Sequence, residues 1–354
     1  MLLAGGGSGG HVFPALAVGE AVVRRGGAVA FVGSPDRLEA RLVPERGIAF
    51  HALDARPLVG KGPLARVAAL WTVAGSALRA RRLVRALGSD VVLATGGYVS
   101  AAPVLGAWLA GTPVLLLEPN AEPGTANRWL SHLARAVCVA YPETGRSLHC
   151  PSHVTGVPVR QAFFAVPTTL PAHPPFRLLL LGGSQGSEEL NRLLPAALEA
   201  AASELGEVRV LHQSGPQHAA ATRARYAERC LGAIEVEVVP FVDDPAAALV
   251  EAHLVVSRAG AITLAELCAA GRGAILVPLA LAGGHQAVNA AALERSGAAR
   301  LLRPDADRAS RLADLLRELL AEPETLEAMA LAARALARPE AANDIARHLA
   351  QVAS

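Results

Sequence analysis

Two glycine-rich turns, one near the start of the chain and one near its middle, constrain the fold most strongly. The first, Gly6-Gly7-Ser8-Gly9-Gly10, follows a short apolar segment and precedes a helix-like run. The second, Gly182-Gly183-Ser184-Gln185-Gly186, stands in the same position between a strand-like and a helical segment. Such a turn leaves backbone N–H groups at the positive end of a helix dipole, where an anionic phosphate can bind. The repetition predicts that each half of the chain begins its own α/β domain.

Short β-branched or leucine-rich segments alternate with alanine-rich helical stretches in both halves. This alternation is typical of a parallel sheet with crossover helices. The predicted strands are residues 29–32, 48–53, 91–94, 114–117 and 136–139 in the first half and 177–181, 208–211, 235–239, 254–257 and 274–277 in the second. The predicted terminal helices are residues 306–321, 324–336 and 341–352.

A cluster of prolines between residues 167 and 175 marks the boundary between the halves. We expect an N-terminal Rossmann-like domain over residues 1–160, a linker over 161–175 and a C-terminal Rossmann-like domain over 176–338. The last helix, about residues 339–354, is a candidate to pack back on the first domain. The chain reaches its first glycine turn after only a few residues, which leaves open a native start upstream of Met1.

The composition argues against several classes of protein. Apolar residues make up 52% of the 354 residues, but no uninterrupted apolar stretch approaches the roughly 20 residues of a membrane-spanning helix. The segment after Met1 does not resemble a signal peptide, so we expect an intracellular protein without a membrane span. A formal net charge of +2 gives no reason to expect nucleic-acid binding.

The cysteines favour neither a disulfide framework nor a zinc site. They are Cys138, Cys150, Cys230 and Cys268, scattered without a Cys-x-x-Cys pair. His149, Cys150 and His153 lie close in sequence, but no second pair stands at ligand spacing. We interpret these three as loop residues and predict no metal site.

A third glycine turn, Thr95-Gly96-Gly97-Tyr98, follows the predicted strand 91–94. The carboxyl ends of parallel strands meet at one edge of a sheet, so this turn should lie beside the first one. Two anion-binding turns on one domain suggest a diphosphate-bearing ligand, although each turn singly is compatible with an ordinary tight connection. A dinucleotide site stays an alternative, because Asp36 follows the second strand, where Rossmann folds place an acidic residue.

Residues 257–266 run from a strand end into a helix in the second half. Free N–H groups near residues 260–263 should face the cleft between the domains. Glu266, one turn further on, can accept hydrogen bonds from two vicinal ribose hydroxyls. The alternative is an ordinary glutamate that complements the helix dipole.

The order of these motifs along nearly the whole chain resembles the MurG family of GT-B glycosyltransferases. The matching segments are Gly-Gly-Ser-Gly-Gly-His-Val-Phe-Pro (6–14), Gly-Gly-Tyr (96–98), Glu-Pro-Asn (118–120), Thr-Gly-Val-Pro-Val-Arg (155–160), Gly-Gly-Ser-Gln-Gly (182–186), His-Gln-Ser-Gly (212–215), residues 258–266, and His285-Gln286 with Asn289. This family adds N-acetylglucosamine to lipid I, undecaprenyl-diphospho-muramoyl-pentapeptide, in peptidoglycan synthesis. The resemblance implies two Rossmann-like doubly wound parallel-sheet domains with an interdomain cleft, and a hexosyltransferase that uses UDP-N-acetylglucosamine.

Carried over residue by residue, the resemblance implies a donor site. Arg160 and Ser184 would hold the diphosphate, the main chain near Val242 would read uracil, and Glu266 would hold ribose. Amides that both donate and accept would contact the sugar hydroxyls, unless they belong to a solvated helix face. The donor-binding residues so implied are Ser8, Gly9, Gly10, Asn120, Arg160, Ser184, Val242, Ala261, Ile262, Thr263, Leu264, Ala265, Glu266, Gln286 and Asn289.

On the acceptor side, the implied residues are Gly7, Gly96, Gly97 and Tyr98. In the implied reaction the C4 hydroxyl of muramic acid attacks the anomeric carbon opposite the leaving UDP, which inverts the configuration. Retaining GT-B enzymes carry a second glutamate eight positions before the ribose glutamate, and Arg258 stands there in this chain. This difference favours inversion.

The resemblance implies neither a metal nor another cofactor. Helix N-termini near Gly186 and Gly260, together with Arg160, can stabilise the leaving diphosphate electrostatically. Asp305-Ala-Asp307 matches the spacing of metal–diphosphate sites in other transferases, but it directly precedes a predicted helix. We therefore predict that it caps that helix.

Two residues are candidates for the general base that takes the acceptor proton. His11 follows the first glycine turn and has the right chemistry near neutral pH. Glu118 ends a neighbouring strand, with Asn120 as a plausible orienting residue. The sequence leaves the choice between them open, and the alternative for His11 is a helix-start residue bonded to the backbone.

A lipid-linked acceptor implies a peripheral enzyme on the cytoplasmic face of the bacterial cell membrane. Residues 64–87 combine apolar and basic side chains, which bind anionic lipid surfaces, and Trp108 is a candidate to join them. The alternative is a helix that only covers the sheet. Other functions left open are a GT-B transferase with a soluble acceptor, a UDP-sugar epimerase, a dinucleotide oxidoreductase and a non-catalytic nucleotide binder.

Overall fold

The computed structural model describes residues 1–54, 63–279, 284–304 and 307–354, with backbone only for residues 63–71. The chain forms two compact units. The first is Met1–Arg160 with Arg338–Ser354, and the second is Gln161–Ala337. The segment predicted as a linker, 161–175, belongs to the second unit.

The first unit contains one parallel sheet covered by helices. Its strands are β1 (Leu2–Ala4), β2 (Ala30–Gly33), β3 (Ala49–Ala52), β4 (Val92–Ala94), β5 (Val114–Glu118), β6 (Ala136–Val139) and β7 (Ser152–Val154). Its helices are α1 (Gly9–Arg24), α2 (Leu38–Leu42), α3 (Pro63–Ala86), α4 (Ala101–Ala110), α5 (Thr125–Leu130) and α14 (Ala341–Ala353). The strand order β3-β2-β1-β4-β5-β6-β7 reverses between β1 and β4, where open α/β sheets bind ligands.

The second unit repeats this plan. Its strands are β8 (Phe176–Leu181), β9 (Val208–Gln213), β10 (Ile234–Val239), β11 (Leu254–Ser257), β12 (Ala274–Leu276) and β13 (Ala299–Leu301). Its helices are α6 (Gln161–Phe164), α7 (Glu188–Leu205), α8 (Ala219–Ala227), α9 (Pro245–Glu251), α10 (Ala261–Ala270), α11 (His285–Arg295), α12 (Arg308–Ala321) and α13 (Pro323–Ala335). The parallel order β10-β9-β8-β11-β12-β13 reverses between β8 and β11.

These elements confirm the predicted doubly wound fold, and each predicted strand coincides with an observed one to within two residues. The edge strands β7 and β13 were not predicted, because three residues with little β-branching give no pattern. His153, predicted in a loop, lies in β7, so that assignment was wrong.

The inner strands of the first sheet, β2, β1, β4, β5 and β6, are buried on both faces, as is usual for parallel sheets. Along β1, Leu2 and Ala4 pack into one apolar cluster and Leu3 into another. The second of these clusters also contains Leu16 of α1 and Ile345 of α14. The C-terminal helix is therefore part of the core of the first unit.

A buried arginine holds the start of the second unit in place. Arg272 is almost fully buried and donates to the carbonyl oxygens of Leu249 at 2.8 Å, Pro167 at 2.8 Å and Gly271 at 2.9 Å. Burial lowers its pKa to about 10. Arg334 donates to the carbonyl of Phe164 at 3.2 Å. Hydrogen bonds thus join residues 164–167 to the C-terminal ends of α10 and α13.

Candidate active site

The first glycine turn is shaped by a carboxylate that the sequence analysis missed. Gly7 has a φ of +83° and donates its N–H to both oxygens of Glu39, each at 3.2 Å. A Cβ atom on Gly6 would lie 2.1 Å from Glu39 Oε1, so a side chain there would displace this carboxylate. Gly7 was predicted to contact the acceptor substrate. Its N–H group, however, already donates to Glu39 within the protein.

The amides available to a ligand lie one step further, at the start of α1. Among the residues that the structure describes, the Ser8 side chain makes no capping hydrogen bond. The first bonds of the helix run from His11 and Val12 to the Ser8 carbonyl. Gly9 and Gly10 therefore have N–H groups without an acceptor inside the helix, at its positive end.

His11 is held in one neutral tautomer. Its Nδ1 lies 2.7 Å from the carbonyl oxygen of Thr95, which can only accept, so Nδ1 carries the proton. The Thr95 hydroxyl donates back to the His11 carbonyl at 2.9 Å. Burial lowers the pKa of His11, while the Thr95 carbonyl and the charges of Glu118 and Glu39 oppose that shift. Nε2 is left as a proton acceptor.

The third glycine turn lies against both His11 and the first turn. Gly96 and Gly97 have φ values of +87° and +74°. A Cβ atom on Gly97 would lie 3.1 Å from His11 Nε2, and one on Gly7 would lie 3.3 Å from the Tyr98 ring. The structure thus brings together His11 and all four predicted acceptor residues at one edge of the sheet.

Glu118, the other candidate base, is buried at the end of β5 with both oxygens occupied. Oε1 accepts from the backbone N and the side-chain Nδ2 of Asn120 at 3.0 and 2.9 Å. Oε2 accepts from the Gly124 N at 2.9 Å and from Asn127 Nδ2 at 3.0 Å. This carboxylate organises the loop after β5, and the half-buried Asn120 is one of its partners.

Arg160 lies at the end of the first unit. Its guanidinium carbon stands 5.8 Å from the centre of the Phe13 ring, a cation–π arrangement. Phe13 belongs to α1 and also borders Gly9, on which a Cβ atom would come within 3.0 Å of the ring. Arg160, the residue predicted to hold the diphosphate, therefore lies beside α1 in the first unit.

In the second unit, two glycine loops pack backbone to backbone. Gly186 has a φ of +76°, and a Cβ atom on it would lie 1.9 Å from the Ser214 carbonyl oxygen. Gly215 has a φ of +92°, and its Cβ would lie 2.4 Å from the Gln185 carbonyl oxygen. Ser184, the predicted phosphate ligand, is half-buried in the first of these loops.

A buried polar chain, also missed by the sequence analysis, supports these loops. Tyr226 and Asn191 flank His212, at 2.8 Å from Nδ1 and 2.9 Å from Nε2. The Asn191 oxygen accepts from His212 Nε2, and its Nδ2 donates to the Ser214 carbonyl at 2.9 Å. Burial lowers the pKa of His212 to about 4, so it is neutral at physiological pH.

The helix α10 offers a second anion-binding terminus. Its first internal hydrogen bond runs from the Leu264 N to the Gly260 carbonyl at 3.0 Å, so the three preceding helical N–H groups, those of Ala261, Ile262 and Thr263, have no acceptor within the helix. Leu264 is buried, and Ala265 and Glu266 are half-buried in the same helix. The turn before it is held by Arg258, which donates to Glu189 at 2.7 Å and to the Val277 carbonyl at 3.0 Å.

The two predicted sugar-binding amides differ in placement. Gln286 is half-buried, and its Oε1 accepts from the Leu279 N at 3.0 Å. Asn289 is fully buried and donates to the Ala259 carbonyl at 3.4 Å, so its side chain faces the turn before α10. Val242 is buried just before Asp244, which caps α9.

Asp307 caps α12 by accepting from the Ser310 N at 3.3 Å, which confirms the predicted cap, while Asp305 lies outside the described residues. Within the described ranges, no three His, Cys, Asp or Glu side chains are grouped to hold a metal ion. His149 stacks on His132 with ring centres 3.8 Å apart, and His153 stacks on His348 at 4.0 Å.

The predicted membrane segment forms α3, which packs on α4 through Gly106. Leu78 and Trp108 are 52% and 55% exposed, and Arg82 and Arg85 are exposed beside Leu78 on α3. The side chains of residues 64–71 lie outside the described part. None of the helices that the structure describes is both long and apolar enough to span a bilayer.

Known proteins match this chain over nearly its whole length. Residues 1–139 match the glycosyltransferase family 28 N-terminal domain and residues 177–347 the C-terminal domain of that family. The UDP-N-acetylglucosamine--N-acetylmuramyl-(pentapeptide) pyrophosphoryl-undecaprenol N-acetylglucosamine transferase of Acidithiobacillus ferrooxidans is 47% identical, covering 98% of this chain and 96% of that protein. The protein of that name from Stutzerimonas stutzeri is 45% identical with the same coverage.

The crystal structure of Acinetobacter baumannii MurG superposes with a TM-score of 0.78 at 32% identity, covering 99% of both chains. The resemblance inferred from the motifs is thereby confirmed. With such identity along two complete domains, this chain belongs to the MurG family of glycosyltransferases.

Proposed function

We propose that this chain is an inverting glycosyltransferase that moves N-acetylglucosamine from UDP-N-acetylglucosamine to the C4 hydroxyl of the muramic acid of lipid I. The observation that carries the proposal is the neutral imidazole of His11, whose Nε2 borders the edge where two glycine turns meet. The near-full-length relatives are named for this transfer. An epimerase, a transferase with a soluble acceptor and a dinucleotide oxidoreductase are therefore not favoured.

Of the two candidate bases, the geometry favours His11. Each oxygen of Glu118 already accepts two hydrogen bonds from the loop it organises, whereas His11 keeps one unprotonated nitrogen. In the proposed step the acceptor oxygen bonds to the anomeric carbon, its proton moves to His11 Nε2, and the anomeric bond to UDP breaks. UDP leaves with the electron pair of that bond.

Most of the proposed donor binding is assigned to the second unit, while Ser8, Gly9, Gly10, Asn120 and Arg160 of the first unit stay predicted donor contacts. The N–H groups at the start of α10 and the glycine loop with Ser184 suit a diphosphate, because they present amides at positive helix ends. Glu266, one turn into α10, suits the ribose hydroxyls. Arg258 occupies the place of the second glutamate of retaining enzymes and is engaged with Glu189, in keeping with inversion.

The first test is transfer of radiolabelled N-acetylglucosamine from UDP to a lipid I analogue. UDP-glucose and UDP-N-acetylgalactosamine serve as control donors. Glu266→Ala should raise the donor KM by roughly 10- to 100-fold, about the value of one charged hydrogen bond. Glu251→Ala, an exposed carboxylate of the same unit, should change nothing. No transfer to the lipid acceptor, or equal use of a lipid-free acceptor, would contradict the proposal.

We further infer that the exposed face of α3 and α4 rests on the anionic cytoplasmic surface of the cell membrane. Leu78 and Trp108 offer apolar anchors, and the arginines of α3 offer positive charge. The double variant Leu78→Ala/Trp108→Ala should bind phosphatidylglycerol vesicles about tenfold more weakly in a sedimentation assay. Leu331→Ala, an exposed leucine of the second unit, is the control. Equal binding by both variants would refute this assignment.

A further inference from the structure

Glu39 is a fully buried carboxylate beneath the first glycine turn, and nothing in the proposed reaction uses it. It lies in α2, just beyond the end of β2. Oε1 accepts from the Ser34 N at 3.0 Å and shares the Gly7 N–H with Oε2 at 3.2 Å. Its Cγ would lie 2.6 Å from a Cβ atom on Gly33, so glycines flank it on two strand ends.

Filling the space beneath the turn does not by itself require a carboxylate at position 39. Of the described residues, the partners of the Glu39 oxygens are the backbone N–H groups of Gly7 and Ser34, and not an arginine, lysine or histidine. A buried carboxylate without a cation costs free energy, and a neutral acceptor could satisfy the same two N–H groups. A carboxylate in this place therefore calls for a role beyond these two contacts.

That role follows from the position of His11 on the other side of the turn. A Cβ atom on Gly97 would lie 3.1 Å from His11 Nε2 and 3.6 Å from the Gly6 carbonyl oxygen. The glycine turn thus stands between the carboxylate and the reactive edge of the imidazole. The charged groups that act on His11 are Glu39 from α2 and Glu118 from β5, and both raise its pKa against the effect of burial.

We propose that Glu39 is a positioning residue of the acceptor side: it fixes the first glycine turn through Gly7 and Ser34, and its charge favours the imidazolium that His11 becomes on taking the acceptor proton. The second part rests on the proposed function, whereas the first does not. An imidazolium formed in a buried place is stabilised by nearby negative charge, which Glu118 and Glu39 both supply.

Three variants of the full chain separate these parts. Glu39→Gln removes the charge but keeps one oxygen able to accept from both N–H groups, whereas Glu39→Ala removes the acceptors. Glu45→Gln changes an exposed carboxylate nearby and is the matched control. The measurements are amide hydrogen exchange at Gly7 and Ser34, an NMR titration of the His11 imidazole, UDP affinity, and kcat against pH.

We expect amide exchange at Gly7 and Ser34 to accelerate about tenfold in Glu39→Ala, the effect of one lost hydrogen bond. In Glu39→Gln, the pKa of His11 should fall, and kcat should drop about tenfold with UDP affinity unchanged. The control should match the parent protein in all four measurements.

Unchanged exchange in Glu39→Ala would overturn the positioning of the turn. An unchanged His11 titration in Glu39→Gln would overturn the electrostatic role. A shifted titration in a protein that transfers no sugar would instead leave Glu39 as the partner of His11 and refute the proposed function.

Discussion

Replacement of His11 by alanine is expected to lower kcat by about two to three orders of magnitude and to leave the KM for UDP-N-acetylglucosamine unchanged. A positioned general base contributes roughly 10²- to 10⁴-fold to a rate. The imidazole lies in the first unit with Nδ1 bound to the Thr95 carbonyl, so its loss removes the proton acceptor and leaves the donor-binding loops of the second unit intact.

The pH dependence of kcat gives a second signature of the same residue. Only neutral His11 can accept a proton, so activity rises with pH through its pKa. Because burial lowers that pKa, kcat should rise with pH in a range below the ordinary pKa of histidine. Near neutral pH, kcat should no longer change with pH. His132→Ala, an exposed histidine of the same unit, should keep this profile. A His11→Ala enzyme with parental kcat would remove His11 from the reaction.

Acid stability sets the lower limit for such measurements. Groups with a folded pKa below the unfolded value bind their proton more readily in the unfolded chain, so stability is lost as pH falls below the unfolded value. His212, with a pKa lowered to about 4, behaves in this way, and so does His11 itself. Unfolding curves recorded at each pH therefore separate a loss of base from a loss of fold.

The fold could be predicted largely from the sequence, because strands buried on both faces appear as continuous apolar segments between alanine-rich helices. Residues 114–117 were predicted as a strand from their apolar composition, and the observed strand is Val114–Glu118. The strand Ser152–Val154 could not be, because an edge strand of three residues has neither the length nor the composition to stand out.

The site was predicted only in part. The spacing of the glycines predicted where the turns lie. It did not predict which side chains contact the turns, because those side chains are distant in sequence. Gly7 meets Glu39 across 32 positions, and Asn191 meets Ser214 across 23. The available signal for Glu39 was its nearness to Gly33, the glycine that ends the second strand. Glu118 and Asn289 were given chemical roles from sequence, and these roles stay predictions; the burial of both side chains could not be predicted.

Glu118→Gln is expected to destabilise the protein by about 2–6 kcal/mol, although glutamine has nearly the same shape. All four contacts of this carboxylate are accepted hydrogen bonds, from two N–H groups of Asn120, from Gly124 and from Asn127. A glutamine places an NH₂ group against two of these donors. Buried donors left without an acceptor cost about 1–3 kcal/mol each.

Denaturant unfolding of Glu118→Gln beside Glu143→Gln, an exposed carboxylate of the same unit, measures this cost. A loss of stability with Glu118→Gln alone identifies the carboxylate as the organiser of the loop after β5. If stability were instead preserved while kcat fell, Glu118 would be reacting with substrate rather than holding the loop. A structural carboxylate and a catalytic base differ here because replacing the first lowers stability with glutamine and with alanine, whereas replacing the second lowers activity without lowering stability.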